Sequence, residues 1–131
     1  MKKSAVLFLC LQLLFPAVFS QSKPGNLLVE NLENPVGLDT RQPRFSWQLL
    51  SDKRNVQQKA YEIKVMEGKS VDWSSGRQES DASVQVPYGG AELRSGKKYS
   101  WQVRVWDNSG KARYPEALPA SIFRGPEKPG Y

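Results

Sequence analysis

The sequence predicts an all-β fold: a seven-stranded antiparallel β-sandwich of the fibronectin type III or immunoglobulin-like kind. Three observations lead there. Short runs of alternating apolar and polar residues recur along the chain, each bounded by Gly, Pro, Asn, Asp or Ser; that is the period of a half-buried strand, and no stretch carries the wider apolar stripe of a helix. Turn signals return every ten or so residues, and about seven strands at that spacing fill two packed sheets. The only cysteine, Cys10, lies near the N-terminus, so the inter-sheet disulfide of antibody domains is absent and the fibronectin-like variant is favoured.

The first twenty residues read as a signal peptide. Lys2 and Lys3 give a positive start, Ala5 to Phe15 is apolar except for Gln12, and Val18-Phe19-Ser20 supplies a cleavage signal. The apolar run is too short to span a bilayer comfortably and no second one follows; the competing reading is a retained membrane anchor. The expectation is a cut after Ser20, a secreted or periplasmic protein, and no membrane association afterwards. Leu9 precedes Cys10, and apolar residues follow it, which argues against lipidation. Residues 21–131 then form one domain with a Pro/Gly-rich end over 125–131. A chain of that size buries enough surface to fold without a disulfide.

Leu27 to Leu32 is a first strand, and Asn34-Pro35-Val36-Gly37 is a turn. Pro43 opens the next strand, where Phe45, Trp47 and Leu49 alternate with Arg44, Ser46 and Gln48. Ser51 to Gln57 is a polar loop. Ala60 leads into a strand in which Tyr61, Ile63 and Val65 oppose Glu62, Lys64 and Met66, ending at Gly68. Val71 to Gly76 is a short edge segment. Ser83 to Val86 is a strand broken by Pro87 and Gly89-Gly90. The final strand, Ala117 to Arg124, stops at Gly125-Pro126.

Between these lies the richest stretch, Lys97 to Gly110: KKYSWQVRVWDNSG. Alternation puts Tyr99, Trp101, Val103 and Val105 on one face, a complete core face. Tyr99 follows Leu93 and Gly96 as a tyrosine corner does, with its hydroxyl reaching upstream backbone. The other face carries Ser100, Gln102, Arg104 and Trp106. Trp106 and Arg104, with the edge residue Trp73, are the candidate docking or sugar-contact surface. The competing readings are that Trp106 packs on a neighbouring strand and that Trp73 lids the core.

Catalysis has little material. The sequence holds no histidine, which removes the commonest general base and zinc ligand. Glu30 and Glu33 alternate in direction, while Asp72, Asp81, Asp107 and Glu116 sit at turns, where short acids bond backbone amides. No pair has the convergence that glycoside hydrolysis requires. Ser46, Ser74 and Ser75 have no base to activate them. No catalytic, cofactor-binding or metal site is expected. The formal net charge of +6 is scattered among acids, so nucleic acid is not an expected partner.

The order of motifs resembles the N-terminal β-sandwich module of bacterial α-L-rhamnosidases, glycoside hydrolase family 78. The resemblance rests on Glu30, NPVGLD (34–39), PRFSWQL (43–49), Arg54, Gln58, Ala60-Tyr61, Ile63-Lys64-Val65, WSSG (73–76), YSWQVRVWDNSG (99–110) and Phe123-Arg124-Gly125. It implies a polysaccharide-degrading system in which this module precedes other β-domains and an (α/α)6 barrel bearing the acids that cleave the rhamnosyl bond by inversion. None of those catalytic motifs occurs here, and the sequence stops at Tyr131, where the family continues. The resemblance therefore implies a non-catalytic accessory domain, in fragment or split form, with the remaining domains of a rhamnosidase-like enzyme as partners. Rhamnose-containing glycans are candidate ligands. The alternative is a stand-alone carbohydrate-binding or adhesion module that uses Trp73 or Trp106 as stacking platforms.

Overall fold

The structure, a computed structural model, describes residues 22–115 and 119–126. The expected signal peptide, Glu116, the Ala117–Leu118 start of the last predicted strand, and most of the Pro/Gly-rich end lie outside the described residues. The strands are β1 (Lys23–Val29), β2 (Val36–Leu38), β3 (Arg44–Leu50), β4 (Gln58–Glu67), β5 (Ser70–Ser74), β6 (Val86–Pro87), β7 (Lys98–Asp107), β8 (Ala112–Arg113) and β9 (Ala120–Arg124). They form a three-stranded sheet in the order β1-β3-β6 and a larger one in the order β2-β9-β7-β4-β5, with β8 also on β7. This is the predicted sandwich.

The strand count is higher than the predicted seven. The two extra strands, β2 and β8, have only three and two residues. They come from segments that read as turn or loop and are fixed by their pairing partners. β2 also breaks the all-antiparallel expectation, because Val36 and Leu38 run parallel to Phe123 and Arg124 of β9.

Two boundaries shift for local reasons. β1 ends at Val29, not at Leu32. Glu30 and Asn31 adopt left-handed φ angles of 50° and 62°, and the chain folds back so that Leu32 bridges Val29. Asn tolerates that conformation better than most residues. β6 is Val86–Pro87 rather than Ser83–Val86. Gln85, at φ 55°, interrupts the run, and Pro87 is admitted because β6 is an edge strand.

β7 forms the spine of the larger sheet, pairing antiparallel with β4 from Ser100 to Asp107 and with β9 from Lys98 to Trp101. Its inner face is the predicted one. Tyr99, Trp101, Val103 and Val105 are buried with Phe45, Trp47, Ile63, Val65 and Ile122 in one core cluster. Phe45 lies 4.6 Å from Trp101, centroid to centroid, across the sandwich. The tyrosine corner is present, with the Arg94 amide donating to the Tyr99 hydroxyl at 2.9 Å.

A second buried polar device fastens the other end. The Trp47 indole N–H donates to Gln58 Oε1 at 2.8 Å. The Gln58 amide nitrogen donates in turn to the carbonyls of Ala82 and Ser80, at 2.9 and 3.1 Å. One side chain thereby satisfies a buried tryptophan and anchors the segment leading into β6.

Candidate functional site

Alternation along β7 puts Trp106 on the outer face, and there it is covered. Only 9% of its surface is exposed. The guanidinium of Arg104 lies 4.7 Å from the ring centroid and that of Arg77 lies 4.6 Å from it. Arg104 sits two residues before Trp106, on the same face of β7. Arg77 comes from the segment between β5 and β6, where it also donates to Glu79 at 2.6 Å.

Arg104 is itself held. Its Nε lies 3.2 Å from Glu62 Oε1 on the neighbouring β4, and its terminal nitrogens donate to Glu62 Oε2 at 3.3 Å and to the Tyr114 hydroxyl at 3.1 Å. Strand pairing sets this arrangement, since Glu62 stands directly opposite Arg104. The hydrogen bond from Arg104 to Tyr114, followed by those to Glu62, raises the guanidinium pKa further. The group is a fixed cation. The packing reading of Trp106 is therefore the one that the geometry supports, because a sugar ring cannot stack on it unless a guanidinium leaves.

Trp73 is elsewhere, on the edge strand β5, two strands away from β7. It packs edge-on against Tyr88 with centroids 4.9 Å apart and lies against the core. Gly90 lets it sit there, since a Cβ at that position would come within 2.8 Å of the indole and 2.5 Å of the Tyr88 hydroxyl. The lid reading holds. One side of Trp73 still faces a shallow cleft of about 310 Å³ that it shares with Tyr61, Gln78 and Pro87. The three candidate residues thus form two separate places, with Arg104 and Trp106 together and Trp73 apart.

Two of the acids, Glu30 and Asp107, brace strand ends. Glu30 clamps the start of β3: one carboxylate oxygen accepts from the Arg44 amide at 2.8 Å and the other from its guanidinium at 2.9 Å. The bond from the Arg44 side chain, against a smaller effect of burial, lowers the Glu30 pKa. Asp107 closes β7. It accepts from the Ser22 and Ser109 hydroxyls, from the Ser109 amide at 2.9 Å and from Arg113 Nε at 3.2 Å. Burial alone raises the Asp107 pKa, but the bonds from Ser109, Ser22 and Arg113 outweigh it and hold the carboxyl down at about 2. Among the described residues, no group of three or more metal-capable side chains occurs.

A residue that sequence reasoning passed over is Arg124. It is buried, and its Nη1 donates to the carbonyls of Leu38 and Gly125 at 2.8 and 3.3 Å. It ties β2 to the end of β9. Its place in the Phe-Arg-Gly motif was the available signal.

The fold and these contacts define an immunoglobulin-like sandwich domain in which Glu30, Asp107 and Arg124 brace strand ends. Residues 24–123 match the family described as the Rha78A-like, N-terminal immunoglobulin domain, and the chain belongs to that family. An α-L-rhamnosidase of Streptomyces avermitilis is 40% identical over 89 residues, which is 64% of this chain and 9% of that protein. One from Alteromonas sp. (strain LOR) is 37% identical over 101 residues, 71% of this chain and 11% of that protein. Among solved structures, the S. avermitilis α-L-rhamnosidase complexed with L-rhamnose superposes with a TM-score of 0.74 at 34% identity, covering 80% of this chain and 11% of that one. The α-L-rhamnosidase of Dictyoglumus thermophilum superposes with a TM-score of 0.72 at 31% identity, covering 79% and 12%. The chain spans only about a tenth of the length of the curated relatives it matches.

Proposed function

We propose that this chain is the non-catalytic N-terminal accessory domain of a secreted α-L-rhamnosidase-like enzyme of glycoside hydrolase family 78. That enzyme removes rhamnose from polysaccharides or glycosides outside the cytoplasm, and the domain's work in it is docking. The observation that carries this reading is the family match over residues 24–123, to relatives about ten times the length of the matched segment. The chemistry agrees in part: Glu30, Glu62, Glu67 and Asp107 are each paired with an arginine of the same domain.

The docking surface we favour is the edge formed by β2 and β9. Val36 is 84% exposed there and pairs with the half-buried Phe123. An apolar patch rimmed by polar groups suits an inter-domain contact. β9 is the last strand among the described residues. Arg104 and Trp106 suit this role less well, being committed to each other and to Glu62. The same enclosure counts against Trp106 as a stacking platform in a stand-alone module.

The purified chain should show no turnover of an aryl α-L-rhamnoside, and measured turnover would overturn the reading. Sequencing the DNA beyond codon 131 should find a frame for the rest of a rhamnosidase.

A further inference from the structure

At the end of the sandwich where β7 stops, the β3–β4 loop and the β7–β8 turn meet beside Ser22 and line a pocket of about 430 Å³. The corresponding loops of a variable-type immunoglobulin sandwich lie together at one end, the end that carries binding loops. The loops here are braced. The Asn108 side-chain amide donates to the Asn55 carbonyl at 2.8 Å, and its Oδ1 accepts from the Gln57 amide at 3.3 Å. Gly110 N–H closes the turn onto the Asp107 carbonyl at 3.0 Å.

The charge of this pocket is one-sided. Lys53, Arg54, Lys111 and Arg113 line it, against Asp107 alone. Arg113 is already paired with Asp107, whose two oxygens are filled by Arg113, Ser22 and Ser109. Among the described residues, no carboxylate lies within ion-pair distance of Arg54 or Lys111, and both are exposed. Apart from Val56 the named lining is polar, with hydroxyls and amides from Ser51, Asn55 and Asn108.

We propose that this loop pocket binds an oxyanion carried on a sugar, either the carboxylate of a uronic acid unit or a sulfate ester. Arg54 and Lys111 meet the anion, and Ser51, Asn55 and Asn108 meet ring hydroxyls. The volume exceeds that of a lone ion and lies in the range of small-molecule sites. Val56 is the only apolar side chain among the residues that line the pocket, whereas the centre of a protein interface is rich in aromatic and apolar residues and poor in charge. No aromatic side chain lines it, so it lacks the base-stacking platforms of single-stranded nucleic acid sites. The choice of a sugar as carrier rests on the proposed function, while the anion site is separate from the docking surface and stands or falls on binding by the chain itself.

Titration of the chain with oligogalacturonate, with a sulfated oligosaccharide and with a neutral oligosaccharide of the same length tests it. The readouts are calorimetry and amide chemical shifts at moderate salt. At least one anionic probe should bind, the neutral one should not, and Asn55, Asn108 and Lys111 amides should shift. Binding of one anionic probe or of both identifies the source of the anion. Arg54→Ala with Lys111→Ala should weaken binding at least about tenfold, since two charge-assisted contacts are lost. A control pair that removes equal charge elsewhere, Lys69→Ala with Lys98→Ala, should leave binding unchanged. Both pairs are exposed, and unaltered circular dichroism confirms folding; if the Arg54/Lys111 pair unfolds, Lys111→Glu alone replaces it with the same expected loss. The proposal is overturned by no binding of either anionic probe, by equal losses in the two variant pairs, or by inorganic sulfate binding as tightly as the oligosaccharides.

Discussion

Inward from β7, Trp101 and its neighbours are sealed by apolar side chains of both sheets. Outward, Trp106 is sealed by two guanidinium groups. Both tryptophans end up covered, by different physics. The inner seal is hydrophobic and tightly packed, so it is costly to open. The outer seal rests on cation–π attraction from two arginines, so it is worth little by itself and can be opened. The contrast shows that burial of an aromatic on a sheet surface does not mark it as core. What covers the ring decides how firmly it is held.

Four substitutions sharpen that contrast, in decreasing order of effect. Trp101→Ala should cost about 3–5 kcal/mol by chemical denaturation, as truncation of buried aromatics does; a loss near 1 kcal/mol would mean that the inner face is not tightly packed. Asp107 comes next. Its folded-state pKa is lowered from 3.8 to about 2, so its contribution is present above pH 3.8 and is lost as pH falls toward 2. That contribution is about 2 kcal/mol. In the wild type, stability should fall over that window, and in Asp107→Asn the matching part of the decline should vanish. Tyr99→Phe removes the acceptor for the Arg94 amide and should cost about 1 kcal/mol, at the low end for an orphaned donor because water can reach this corner. Arg77→Ala uncovers one face of Trp106 at a cost of about 0.5–1 kcal/mol. It should raise the quenching of tryptophan fluorescence by acrylamide, and a stability loss as large as that of Trp101→Ala would erase the distinction between the two seals.

Much of β7 was legible because its signal is local. Eight residues in strict alternation, Lys98 to Val105, determine which side chains face inward, and the tyrosine corner has its own short spacing. The outward position of Trp106 was legible for the same reason. Its cover was not: Arg77 lies on another segment and reaches the ring only through the fold. β2 and β8 were missed because strands of two or three residues have no periodicity to read and exist through their partners. The early end of β1 follows from left-handed backbone at Glu30 and Asn31, which a string of apolar letters hides. Gln58 was noted only as part of the resemblance, because its role depends on Trp47 and on carbonyls more than twenty residues away. The loop pocket was invisible for a related reason: its cations, Lys53 and Arg54 on one loop and Lys111 and Arg113 on another, look like scattered surface charge until the sandwich brings the loops together.

The sheet edges bear on how such a domain behaves when crowded with copies of itself. The outer strands β1, β2, β5 and β6 are poor templates for another strand. β1 carries Pro24 and a register shift between Gly25 and Leu28, and half of the two-residue β6 is Pro87. β2 has three residues around Gly37 at φ 75°, and β5 is short, irregular in register and carries the exposed Asp72. Short, kinked, proline-bearing or charged edges are how natural sheets avoid growing into fibrils. These four edges make the sandwich suited to concentrated solution and to transplantation as a module into other multidomain chains.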